Sequence, residues 1–346
     1  MEQLHIGLTR DFLQQAPDPW AMGLDWLRHD PRTAWSWLGK HTAEVQPHQL
    51  DGMDAVIAWT PRWTPASVSE SERLLLIARW GVGYDHVDLA ACTAAGVMVT
   101  ITPDAVKRPV ATANVAMVLA LATRMFGKDA DTRAGLWQQN SLVMPGPGLR
   151  GKTLGSIGFG NVAKESFRLL AAFGMKFIAC SPSARQEDGN LLQVKIGSME
   201  AVLTQSDFLM INCPLNASTR HMLGSAELAM MKPAAFLINL ARGAIVQEAA
   251  LVEALQQGRL AGAGLDVFES EPLPADHPLT RMAQVILAPH SLALTEELFA
   301  RMADQHRGII DALLRGETPP HVINKEVLQT AKFRQKQEAL LERLRH

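Results

Sequence analysis

The chain has 346 residues, 47% of them hydrophobic, with a formal net charge of -2 at pH 7. That length predicts about two domains with full apolar cores, and the near-neutral charge excludes a general nucleic-acid or anionic-membrane binder. Three cysteines, Cys92, Cys180 and Cys213, form no CxxC pair and have no histidine at zinc spacing. No metal site is therefore expected, and a reducing, cytoplasmic setting is.

The opening stretch MEQLHIGLTR lacks the charged-then-apolar design of a signal segment. Trp20, Trp26, Trp35 and Trp37 lie in a section that takes no clear assignment and is expected to pack. From about residue 50 the chain alternates. DAVIAW, LLLIAR and VMVTI read as strands, and DLAACTAAG, between the last two, reads as a short helix closed by Gly96. This alternation predicts a parallel sheet covered by helices. A long helix follows, with Pro109 suited to its first turn and a middle apolar almost all round. Its apolar run VAMVLALA is too short to span a bilayer. The stretch SLVMPGPGLRGK then breaks the pattern.

A second alternating series has the strands TLGSIGF, KFIACS, DFLMINC, AFLINLA, GAGLDVF and VILAP, with helical segments between them. Six mostly parallel strands of this kind describe a doubly wound nucleotide-binding domain. A last helix near residues 295–316 carries the chain back to the first domain. The basic helical tail KFRQKQEALLERLR is expected to be solvated or to contact a partner subunit.

Gly158-Phe159-Gly160-Asn161-Val162-Ala163 is a GxGxxA fingerprint, preceded by a strand and followed by an amphipathic helix and another strand. The first glycine makes the tight turn, the second admits the pyrophosphate, and the small third residue lets helix and strand pack. The helix amino end then stabilises phosphate charge. The second strand of such a unit is expected to end in an acidic residue that grips the ribose of NAD. Here Ser181 takes that place, and Arg185 is close enough along the loop to pair with a 2'-phosphate. NADP is favoured over NAD.

Arg242, Glu271 and His290 each follow a strand of the second series, and open α/β sheets bind ligands at the carboxyl ends of their strands. Taken one at a time, each has a bland alternative as a loop cap, a solvated turn residue or a satisfied core histidine. Gly243 is expected to turn the backbone sharply after Arg242.

The ordered set RWGVGYDHVDLAACTAAGV, TPDAVKRPVA, GKTLGSIGFGNVAKE, INCPLNASTRHML, MKPAAFLINLARGAIVQEAAL, AGAGLDVFESEP and APHS resembles the D-isomer-specific 2-hydroxyacid dehydrogenases from about residue 50 to residue 325. The resemblance implies an α/β protein of two Rossmann-like doubly wound parallel-sheet domains with a cleft between them. Residues 1–104, completed by 296–346, would be the substrate-binding (catalytic) domain, and 105–295 the dinucleotide-binding domain. It implies NAD(P)-dependent interconversion of a small 2-oxo acid and a D-2-hydroxy acid. Arg242 would bind the carboxylate, His290 would be the acid/base and Glu271 its partner. The backbone at Val82 and Gly83 would hold the acid as well. Asn161 and Val162 would meet the pyrophosphate, Cys213 and Pro214 the adenosine side, Ala241 the nicotinamide side and Asp266 the carboxamide. The resemblance also implies a homodimer.

Physical chemistry fits those roles. A planar guanidinium matches a carboxylate bidentately, and a protonated imidazole beside a carboxylate is suited to deliver a proton to a carbonyl oxygen. A dinucleotide-sensing, corepressor-like protein is the alternative on the same scaffold. Two features depart from the family pattern. Leu292 and Leu294 after His290 make that wall bulkier, and Lys107 and Arg108 precede the long helix, either as a solvated pair whose charge is screened or with Arg108 facing the cleft to attract an anion.

Overall fold

The computed structural model describes residues 2–15, 18–137 and 145–345. Part of the predicted Pro/Gly break, residues 141–144, lies outside the described residues. The chain forms two compact units, Met1–Val106 with Thr295–His346, and Lys107–Leu294.

The first unit holds a five-stranded parallel sheet: β1 (Leu4–Leu8), β2 (Thr33–Trp37), β3 (Ala55–Ala58), β4 (Leu76–Arg79) and β5 (Met98–Thr100), in the order β2-β1-β3-β4-β5. β3 and β4 are buried at every position, as strands covered on both faces must be. β1 and β2 escape the sequence reading. LHIGL is short, and in TAWSW the tryptophans resemble a packing cluster more than a strand. Both readings hold in part: Trp35 and Trp37 lie on edge strand β2, and Trp20 packs on them with ring centroids 4.6 and 5.8 Å away.

The helix Leu89–Ala94 ends before Gly96, whose φ of +71° is the left-handed conformation that closes helices. The long helix runs Pro103–Thr123 and places Pro109 in its interior, not its first turn. Pro103 supplies the first position. Pro109 forfeits one bond, to the Ala105 carbonyl, near the start of a 21-residue helix. This helix is long and apolar enough to cross a membrane by length and composition, but 61% of the relevant window is buried within the protein, as in a core helix.

The tail corrects another expectation. The helix Ala331–Arg345 buries Phe333, Lys336 and Leu340 against the first unit. Lys336 Nζ donates to the carbonyls of Leu74 (3.0 Å) and Ala95 (2.8 Å), and Arg343 pairs with the fully buried Asp54 at 2.5 Å. Its basic residues therefore serve partly as internal clamps. The long side chains reach inward to backbone acceptors and a buried carboxylate.

The second unit is a seven-stranded parallel sheet: β6 (Thr153–Ile157), β7 (Lys176–Cys180), β8 (Val194–Ile196), β9 (Phe208–Ile211), β10 (Phe236–Asn239), β11 (Gly262–Leu265) and β12 (Val285–Leu287), ordered β12-β11-β10-β9-β6-β7-β8. β8 is one strand more than the sequence suggests, because three residues are too few to show a period. Helices cover both faces. Phe208 and Met210 of β9 pack into one core with Met117, Leu121 and Phe167, while Leu209 and Ile211 pack into the other with Val202, Leu251 and Leu255. Alternate residues of one strand thus feed opposite cores. The strand order reverses between β6 and β9, the switch point at which doubly wound sheets bind ligands.

Candidate active site

β10 ends at Asn239, which is 1% exposed. Its side chain accepts from the Ala241 amide (3.0 Å) and donates to the Arg242 carbonyl (2.9 Å), folding the loop that presents Arg242. Arg242 Nη1 also donates to the Ala241 carbonyl at 2.7 Å. Gly243 is needed for room and not for a turn. A Cβ there would lie 1.9 Å from the Phe268 carbonyl carbon. Its absence lets the Arg242 loop press against the loop after β11.

That second loop carries Glu271. One carboxylate oxygen accepts from the Phe268 amide at 3.0 Å, and the other lies 2.8 Å from His290 Nδ1. Burial pushes the Glu271 carboxyl up. The hydrogen bond and charge of His290, the Phe268 N–H and the Arg242 charge outweigh burial, leaving the group below its ordinary range. With Nδ1 turned to Glu271, Nε2 is the nitrogen presented outward. His290 sits at φ +54°, a sparsely populated conformation for a non-glycine residue. Buried Asp266 over-determines that turn by accepting from the amides of Ser291 (2.9 Å) and Leu292 (3.2 Å). Burial raises the Asp266 carboxyl above its usual range against these bonds. Its remaining lone pairs leave capacity for a further donor. Arg242, Glu271 and His290 are thus brought together at the carboxyl ends of neighbouring strands β10, β11 and β12.

The glycine turn follows β6. Gly158 has φ +98°, and a Cβ there would sit 2.4 Å from the Asn212 carbonyl oxygen. At Gly160 a Cβ would meet nothing within 4 Å, so the backbone is open to an approaching anion. Ala163 is fully buried where the helix Asn161–Leu170 packs on the sheet. These features fit a pyrophosphate at the amino end of that helix. Ser181 follows β7 and is half-buried, and Arg185 is exposed a few residues on. Cys213 and Pro214 follow β9.

In the first unit, the loop after β4 contains Val82 and Gly83. Buried Arg79 donates to the carbonyls of Gly83 (3.0 Å) and Ala58 (2.7 Å). The Gly81 amide donates to Thr102 Oγ1 at 3.2 Å. These bonds fix the path of the loop, with Val82 exposed.

The family model of the D-isomer-specific 2-hydroxyacid dehydrogenase NAD-binding domain matches residues 115–291, half of the chain. The chain belongs to this family. The dehydrogenase is 40% identical over 267 residues to a glyoxylate reductase of Aeropyrum pernix, covering 76% of this chain and 80% of that protein. A glyoxylate reductase of Thermococcus gammatolerans is 36% identical, with 90% and 95% covered. The solved structure of a glyoxylate reductase from Paecilomyes thermophila matches with TM-score 0.78 at 28% identity, covering 94% of this chain and all of that one. The protein is an NAD(P)-dependent 2-hydroxyacid dehydrogenase, and its second unit carries the nicotinamide-dinucleotide-binding domain.

The placement of Lys107 and Arg108 in the dehydrogenase differs from the sequence expectation. Lys107 and Arg108 lie inside the long helix, past its first turn. Arg108 pairs with Glu165 at 2.6 Å, and Arg168 takes the same carboxylate at 2.8 Å. Arg168 first, with Arg108, holds Glu165 at about 2 against burial. Arg108 is therefore held on a carboxylate that it shares with Arg168, and is not an unpartnered cation. Burial pushes the Cys213 thiol up to about 11, which keeps it protonated and a poor nucleophile. Sequence reasoning missed Asn239, although a polar residue closing an apolar strand is a visible signal.

Proposed function

We propose that this dehydrogenase reduces a small 2-oxo acid, glyoxylate first among candidates, to its 2-hydroxy acid, with D configuration where the product is chiral. Arg242 pairs with the substrate carboxylate through its planar fork. When bound, the reduced nicotinamide supplies a hydride to the carbonyl carbon. His290 delivers a proton from Nε2 to the carbonyl oxygen as negative charge develops there, and accepts it in the reverse direction. Glu271 fixes the ring through Nδ1. The observation that carries this reading is the 2.8 Å contact between His290 and Glu271. A protein that only sensed the dinucleotide would leave that pair without a task.

In the first unit, the proposed substrate domain, the backbone at Val82 and Gly83 grips the acid. In the second, Gly158, Gly160, Asn161 and Val162 hold the pyrophosphate, Cys213 and Pro214 the adenosine, Ala241 the nicotinamide and Asp266 its carboxamide. NADP is favoured over NAD, because Ser181 brings no carboxylate to repel a 2'-phosphate and Arg185 is exposed beside it. A homodimer would cover the exposed apolar side chains Met125, Phe126, Leu136 and Trp137 of the second unit.

The test follows loss of the reduced-nicotinamide absorbance with NADPH or NADH and glyoxylate, hydroxypyruvate, pyruvate or phenylpyruvate. Turnover of at least one acid is expected. Tight dinucleotide binding with no turnover would reject the catalytic reading.

A further inference from the structure

The glycine turn rests on a buried relay that none of these roles uses. Asn114 stands in the apolar middle of the helix Pro103–Thr123 and is fully buried. Its Nδ2 donates to Asn212 Oδ1 at 3.1 Å and to Ser166 Oγ at 3.3 Å. Asn212 Nδ2 donates to Ser156 Oγ at 3.0 Å, and that hydroxyl donates to the Gly158 carbonyl at 2.7 Å. Ser166 Oγ donates to the Val162 carbonyl at 2.9 Å.

The two ends set the direction of both arms. A carbonyl only accepts, so each serine gives its single proton outward and must accept from the amide behind it. Both arms therefore start at the Asn114 NH2 group and end on carbonyls of the dinucleotide turn. Asn114 Oδ1 is buried without a hydrogen-bond partner among the described residues, so donation is the task this side chain performs. In a trans peptide the carbonyl and the following N–H point opposite ways. Tying the Gly158 carbonyl to buried Ser156 aims the Phe159 N–H away from the interior. Neither Phe159 N–H nor Gly160 N–H has a backbone partner among the described residues, and the space at Gly160 is open.

We propose that Asn114 is a positioning residue for the cofactor, holding the Gly158–Phe159 peptide with its N–H turned toward the pyrophosphate. This rests on the reading of Gly158–Ala163 as the pyrophosphate turn. An aspartate at position 114 keeps the size but, when ionised, cannot donate, so both arms lose their source. Ser156→Ala removes only the final link of one arm.

The dissociation constant of NADPH and the competition of free adenosine, which has no pyrophosphate, are measured on the full chain well below its melting temperature. Asn114→Asp and Ser156→Ala are each expected to weaken NADPH about tenfold, the loss of one hydrogen bond's worth of orientation. Their combination should cost little more than either alone, because they break one chain. Adenosine should bind within about twofold of the unaltered protein by the same reasoning. Unchanged NADPH affinity in Ser156→Ala, or an equal loss for adenosine, overturns the proposal. Ser156→Ala keeps the test valid if Asn114→Asp folds poorly. Gly160→Val separates the two readings. It should abolish NADPH binding by filling the open space, and normal binding there would overturn the turn assignment itself and the relay with it.

Discussion

His290 and Glu271 are nineteen residues apart in the chain, and the histidine Nδ1 lies 2.8 Å from the glutamate carboxylate. The contact joins the loops after two neighbouring strands, β11 and β12, so the parallel sheet itself sets their distance. The other carboxylate oxygen is fixed on the Phe268 amide, which leaves the imidazole little choice of direction.

If His290 transfers the proton, His290→Gln should lower kcat by at least about 10²-fold with dinucleotide affinity unchanged. Glu271→Gln should reduce kcat less, since it alters the orientation and charge balance of the donor rather than removing it. Single-turnover rates of nicotinamide oxidation measure both. The Glu271 carboxyl lies below its ordinary range, so the stability its ionised form contributes is fully present above the unfolded-state value and is lost as pH falls through the lower folded value. Activity of the unaltered protein should therefore persist into mildly acidic buffer before this pair fails.

Gly243→Ala should destabilise the second unit. The added methyl would lie 1.9 Å from the Phe268 carbonyl carbon, and backbone cannot rotate away as a side chain can. A loss of about 1–3 kcal/mol is expected for such overpacking. Denaturant unfolding measures it, and an unchanged midpoint would mean that the two loops are not pressed together.

Arg185→Ala should raise the KM for NADPH several-fold and leave that for NADH unchanged, because only the former carries the 2'-phosphate. Equal effects on both would place Arg185 away from the ribose. Steady-state kinetics with one acid and both cofactors decides it.

Lys336 gives a pH dependence with an unusual sign. Burial lowers its amine to about 8, from the ordinary lysine value of about 10.4. Between those values the unfolded chain holds a proton that the folded chain has released, so stability rises with pH across that window. Below about 8 the folded state bears a buried charge and this relief is absent. The neutral amine keeps two N–H groups, enough for the Leu74 and Ala95 carbonyls. Melting temperature relative to Lys336→Met should increase from pH 8 toward pH 10. A flat difference would show that the amine ionises normally.

Much of the second unit could be read directly from the chain. Apolar runs with glycine at defined offsets encode strands and a phosphate turn locally, since φ limits and side-chain period act over a few residues. Arg242, Glu271 and His290 are visible for the same reason, as polar residues that follow apolar strands. The short strands β1, β2 and β8 carry too few residues for a period to show. Pro109 looked like a helix start because the nearer signal, Pro103, competes with it.

The pairings were decided elsewhere. Arg108 meets Glu165 across 57 positions, and Asn114 reaches Asn212 across 98. Nothing local distinguishes an arginine that waits for a ligand from one already matched, or a stray amide from one that aims a turn. Those outcomes depend on which strands become neighbours and which helix is laid over them, and packing fixes that only once the sheet has closed its two cores.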